Sequence, residues 1–130
     1  MSTNKTQNLQ LHSWVADDPV KMSEFNENFE AIDSLLTRIA VGSYVGTGTC
    51  GSENPNALTF DFAPKFLLIW QDGYVTSLGL RGGKLRSIST NSYGTCNATW
   101  EGNTVSWSHN SDASWQMNAN RSAYYYVALG

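Results

Sequence analysis

Charge is scarce in this 130-residue sequence: Asp, Glu, Lys and Arg make up 15% of it, where an ordinary soluble domain has about a quarter. The net charge of −3 leaves no clustered basic face able to displace counterions from phosphates, which excludes nucleic acid as a partner on electrostatic grounds. No apolar run approaches the roughly 18 residues of a membrane helix, so no membrane insertion is expected. Met1 to Lys21 lack the apolar segment of about 7 to 15 residues that a signal peptide uses, so synthesis in a cytoplasm is the expectation. Cysteine is limited to Cys50 and Cys96, 46 positions apart. Two thiols do not make the ligand set of a structural zinc site, and two buried or half-buried free thiols are expected ahead of a disulfide. Ser, Thr, Asn and Gly supply 49 residues, so the surface is polar but largely uncharged. With 41% hydrophobic and 12% aromatic residues, including five Trp and six Tyr, the chain has enough apolar area for an ordered core.

Glycine marks the main division, because all 11 glycines lie between Gly42 and Gly130. Residues 1–41 carry six acids and three bases, whereas 42–130 carry five of each. A boundary near Val41 follows, with an N-terminal region at 1–41 and a C-terminal domain at 42–130.

Residues 1–16 have neither a helical nor a sustained strand period, and read as an attachment arm with Leu9, Leu11 and Trp14 as its apolar anchors. Asp18-Pro19 is a good helix start, and Ser23 offers a second cap. From there Met22, Phe25, Phe29, Ile32, Leu36 and Ile39 follow one another in steps of 3, 4, 3, 4 and 3. That heptad stripe is narrow, with only Leu35 widening it, and it predicts a short self-associating coil. The alternative is an amphipathic helix packed on its own domain. Bulky Phe at two seam positions favours three chains over two. A helix of about 25–30 Å is too short to associate alone, so the following domain would associate as well.

After Gly42 the period becomes two. Leu58–Phe62 and Thr104–Ser108 alternate, the mark of strands with one buried face, while Phe66–Trp70 is apolar throughout and reads as a central strand covered on both faces. Further strands are expected at Ser43–Thr49, Tyr74–Leu80, Leu85–Thr90, Ala98–Trp100, Ser114–Met117 and Tyr124–Leu129. Turn chemistry lies between them at Asn54-Pro55-Asn56, Asp72-Gly73, Gly82-Gly83, Glu101-Gly102-Asn103 and Asn110-Ser111-Asp112. The fold class is mainly β: an arm and a short coiled-coil helix followed by an antiparallel β-sandwich, in a trimer.

Catalytic patterns are weak. Gly46–Gly51 fits the spacing of a dinucleotide loop, but a turn follows where a helix is required, so no cofactor is expected. His109 with Asp112 near a Ser or Cys would be needed for nucleophilic catalysis, and nothing places them together. Asp61, Asp72, Glu101 and Asp112 are no more than the background of acids on a sandwich, so an enzyme is unsupported. Binding fits better. Trp100 and Trp115 stand among polar residues such as Asn110 and Asp112, and Arg81, Lys84 and Arg86 around Gly82-Gly83 are the one basic cluster. These seven are the candidate ligand residues. Trp70 and Trp107 are expected in the core, Trp100 and Trp115 either there or exposed.

Asp17-Asp18-Pro19, Phe25-Asn26-Glu27-Asn28-Phe29 and Ile32-Asp33 resemble the N-terminal segment of phage and prophage tail-fibre proteins. Gly42–Gly48, Leu58–Lys65 and the closing Tyr124–Gly130 are similar to the small C-terminal β-modules of such fibres and, more distantly, to the H-type lectin sandwich. The resemblance implies a homotrimeric virion protein made in a bacterial host. Residues 1–20 would attach to other tail or baseplate proteins, and the β-domain would face outward toward a cell-surface glycan. It also admits a baseplate, head or decoration protein, or an appendage of a contractile injection particle, with no ligand of its own.

Overall fold

The computed structural model describes residues 1–130, in two compact units, Met1–Thr37 and Arg38–Gly130. The division falls a few residues before the one expected from glycine and charge near Val41.

In the first unit residues 1–16, which show no sustained strand period, form a short folded ribbon. Strands β1 (Asn4–Lys5) and β2 (His12–Ser13) pair antiparallel, and Thr6 N–H donates to Leu11 O at 2.8 Å across the connecting turn. Helix α1 (Met22–Leu36) begins later than Asp18-Pro19, because the Asp18 carboxylate is engaged elsewhere. It accepts from the Thr3 hydroxyl, from Val15 N–H at 3.0 Å and from Thr3 N–H at 2.8 Å, and these bonds hold it below the usual carboxylate range. Ser23 falls inside the first turn, and the N-cap residue Lys21 makes no side-chain cap.

The ribbon packs on the polar face of α1. Glu24, only 5% exposed, accepts from Ser2 N–H at 2.9 and 3.0 Å and from the Trp14 indole at 2.9 Å. Burial opposes its charge, yet these bonds prevail and its carboxyl lies below its ordinary value. One turn on, the Asn28 amide accepts from His12 N–H at 2.6 Å and donates to His12 O at 3.0 Å, satisfying β2 where a third strand would have stood. The His12 ring lies between Ser2 Oγ at 2.6 Å and Glu27 Oε2 at 2.7 Å.

The second unit is one eight-stranded antiparallel sheet: β3 (Ile39–Val45), β4 (Asn56–Thr59), β5 (Phe66–Trp70), β6 (Thr76–Leu80), β7 (Leu85–Ile88), β8 (Tyr93–Glu101), β9 (Thr104–Ser108) and β10 (Ala123–Leu129). Their order is β3-β10-β5-β6-β7-β8-β9-β4. Ile39, expected as the last seam position of the helix, is instead the first residue of β3, paired with Leu129. The sheet curls. Tyr44 of β3 and Trp107 of β9 are six strand spacings apart in this order, roughly 29 Å in a flat sheet, yet their ring centroids are 6.4 Å apart. The expected sandwich is thus one sheet folded over a single core that includes Leu67, Ile69, Leu85, Val105, Trp107 and Tyr124. Gly79 is where the folded sheet needs a missing side chain, since a Cβ there would stand 2.6 Å from Leu85 Cδ2. Gly82, at φ +86°, makes the tight β6–β7 turn.

Ser114–Met117, expected as a strand, is a chain of turns threaded into the fold. Gln116, Met117 and Asn118 are all buried, with Met117 at φ +60°. Buried backbone outside a ladder needs partners, and the side-chain amides supply them. Gln116 accepts from Gly51 N–H at 3.0 Å and His109 N–H at 2.8 Å and donates to Asn54 O at 2.8 Å. Asn118 accepts from Thr47 N–H at 3.0 Å and donates to Thr49 O at 2.8 Å. Trp107 Nε1 donates to Gln116 O and Tyr44 OH to Met117 O, each at 2.8 Å.

Candidate functional site

The outer face of the curled sheet has two different halves. On β3, β10, β5, β6 and β7 the outward positions are largely apolar, including Val41, Tyr125, Val127, Leu68, Leu78 and Ile88. On β8, β9 and β4, past Tyr93 at the β7 margin, they are mostly polar: Thr95, Asn97, Thr99, Glu101, Thr104, Ser106 and Thr59, with Ala57. Phe66–Trp70 explains its unbroken apolar run in these terms. Leu67 and Ile69 point into the core at 0% exposure, whereas Phe66, Leu68 and Trp70 face outward and are only half-buried. Trp70, expected in the core, packs against Tyr125 with ring centroids 5.8 Å apart.

The helix also leaves its apolar side bare. Met22, Phe25, Phe29, Ile32 and Leu36 are between 40% and 75% exposed, because the ribbon covers Glu24 and Asn28 on another face. Only Trp14 reaches the stripe's edge, stacking on Phe25 with ring centroids 5.1 Å apart. Of the other arm anchors, Leu9 is exposed and Leu11 half-buried.

Six of the seven candidate ligand residues fall into two groups at opposite ends of β8, marked by Gly94 and Trp100, which a strand rise of about 3.3 Å sets roughly 20 Å apart. At one end Arg81 Nη1 donates to Pro64 O at 3.0 Å and Gly102 O at 3.1 Å, and Trp100 Nε1 donates to Gly83 O at 2.8 Å. Lys84 is exposed beside that turn, whereas Arg86 stands apart from this group, exposed on the outer face of β7 between Leu78 and Thr95. At the other end Trp115 lies against Gly94, where an added Cβ would stand 3.0 Å from the ring. Asp112 Oδ1 accepts from Ser114 N–H at 2.7 Å and Trp115 N–H at 3.1 Å, so it shapes its own turn. Asn110 is exposed. The polar groups of Arg81, Trp100 and Asp112 therefore hold the fold, leaving Lys84, Arg86 and Asn110 as exposed side chains without a hydrogen bond of their own in the domain.

The residues considered for catalysis are placed as follows. His109 Nδ1 accepts the Asp112 backbone N–H at 3.1 Å and does not meet its carboxylate. The N–H groups of the glycine-rich stretch are spent internally: Gly46 on Ser122 O at 2.8 Å, Gly48 on Asn118 O at 2.7 Å and Gly51 on His109 O at 2.8 Å. They offer no phosphate cradle. No three His, Cys, Asp or Glu side chains gather as a metal site would need, and no helix is long and apolar enough to cross a membrane. Cys50 and Cys96 are both free. Burial pushes the Cys96 thiol up to about 11, and its Sγ donates to Trp115 O at 3.1 Å.

No sequence pattern points to a groove of about 370 Å3 between the two free sheet edges, lined by Tyr44 and Val45 of β3, Asn56–Leu58 of β4, and Thr47, Thr49 and Asn118. Its Asn and Thr residues come from segments some 70 positions apart, joined by Asn118, and no local pattern reveals that pairing.

Comparison with protein-family models, curated proteins and solved structures finds no match.

Proposed function

We propose that this chain is a non-enzymatic structural protein of a virus particle, a short homotrimeric tail fibre or receptor-binding protein. Residues 1–20 attach it to the particle, α1 draws three copies together, and the β-domain faces outward to meet a host-surface glycan. The observation that carries this reading is the bare apolar stripe of α1. The chain's own ribbon is spent on the polar side of the helix, and five large apolar side chains in heptad register face water, which is the arrangement of a helix whose partner is another chain. The resemblance of the flanking motifs to tail-fibre segments supplies the particle and the host.

A second reading, a baseplate, head or decoration protein with no ligand of its own, has a specific observation in its favour. Trp100, Arg81 and Asp112 spend their polar groups inside the fold. Lys84→Ala and Asn110→Ala, both at exposed positions, separate the two readings when carried on otherwise intact particles. Lost adsorption to host cells with normal assembly supports recognition. Normal adsorption by both variants overturns a glycan site at these positions and favours the purely structural role.

A further inference from the structure

We infer that the outer face of β3, β10, β5 and β6 is a subunit interface, covered by other copies of this chain. The face is continuous by register: Val41 lies opposite Val127, Val127 opposite Leu68, and Leu68 opposite Leu78. Seven large apolar residues of this face stand out as exposed, with Val41 at 73% and Leu80 at 67%, and the face ends at Arg86 of β7 beside Leu78. Their exposed fractions amount to about four whole side chains, on the order of 600 Å2, and the half-buried Phe66, Leu68, Trp70 and Val127 add to it, toward the roughly 800 Å2 that each partner contributes to a stable interface. A monomer that kept this face in water would exceed the few hundred Å2 of contiguous apolar surface that soluble proteins usually show.

The occupant is a second copy for three reasons. Among the outward residues of β3, β10, β5 and β6 there is no charged side chain, so the face offers nothing to a charged ligand or to an anionic membrane surface, and it has the composition of an obligate homo-oligomer interface. The unbroken apolar run Phe66–Trp70 is the pattern of a strand covered on both sides, but the β-domain itself covers one side only. Finally, β3 starts just past α1, with only Thr37 and Arg38 between them, so copies gathered by the helix hold their sheets at high local concentration. The inference rests on the self-association reading above and names the surface that a helix of four turns is too short to replace.

The test uses the full chain in three variants, followed by sedimentation velocity over a dilution series. Val41→Lys with Leu80→Lys should raise the concentration of half-dissociation about a hundredfold, at roughly tenfold per buried position. Thr95→Lys with Thr99→Lys, on the polar half of the same outer face, should leave it unchanged. If the Val41 and Leu80 variant associates like the parent while Phe29→Gln with Ile32→Gln does not, the interface is the helix alone and the inference is overturned with the self-association reading intact. A parent chain that is monomeric at every concentration overturns both. Should the lysine variant lose its circular-dichroism signature, carbene footprinting of the parent decides instead. Protection of Val41, Leu80 and Trp70 that grows with concentration supports the interface, and labelling independent of concentration overturns it.

Discussion

The two halves of the β-domain's outer face share one sheet, one core and one strand chemistry on the inside, and differ only in what they show to the outside. Outward from β8, β9 and β4, past Tyr93 at the β7 margin, stand mainly Thr and Ser with Asn97 and Glu101, the ordinary polar side of an antiparallel sheet facing water. Outward from β3, β10, β5 and β6 stand Val, Leu, Tyr and Trp. Folding of a single chain does not require that difference, since both halves bury the same kind of inward residue. It is a difference in what each half meets. The helix repeats it on a smaller scale, with Glu24 and Asn28 under the ribbon and Phe29 and Leu36 bare.

If the inner face is common to both halves, removing a core side chain under either should be equally damaging. Leu67→Ala beneath the apolar half is expected to cost about 2–5 kcal/mol, with Val105→Ala beneath the polar half at the lower end because it removes less, both read from denaturant melts of the chain. A near-zero cost at Leu67 would mean that half is not packed as described. Asn118→Ala strands Thr47 N–H and the Thr49 carbonyl where the turn segment closes the sheet, and should cost about 3 kcal/mol. Charged substitutions at the exposed positions Val41 and Leu80 should change monomer stability by only about 0.5 kcal/mol while changing association strongly, and it is this separation that sharpens the contrast between the halves.

The two units should respond differently to acid. Asp18 and Glu24 have carboxyls held below their ordinary values of 3.8 and 4.5, so the stability they lend is present above those values and is lost as pH falls below them toward the lower folded values. The ribbon should therefore release from α1 in that window, seen as a change in Trp14 emission, before the β-domain unfolds. The smallest effect concerns the thiols. Half-buried Cys50 should react with an alkylating reagent at neutral pH while Cys96, buried and with its thiol pushed up to about 11, stays unmodified, which peptide mass mapping would show.

Much of the β-domain was legible because strand alternation and turn residues are local. Phe66–Trp70, Thr104–Ser108 and the Gly82-Gly83 turn lie where period and glycine put them. Ser114–Met117 misled, since its alternation belongs to a buried turn segment satisfied by Gln116 and Asn118 through partners some 60 to 70 residues away. The heptad pattern ran through Ile39 because periodicity is blind to where a strand partner such as Leu129 captures the chain. The ribbon was missed for a similar reason: its two short strands are held by Asn28 and Asp18, not by their own period. As for the candidate ligand residues, composition picked out Trp100, Trp115 and Asp112, but only the fold shows that the Trp100 indole and the Asp112 carboxylate are engaged internally and that the Trp115 ring lies against Gly94.

Self-association through the helix stripe is the claim on which the rest depends, and the solution mass of the intact chain by light scattering after size exclusion tests it most directly. The account predicts a mass near three times 14.3 kDa. A mass of one chain at every concentration would contradict it.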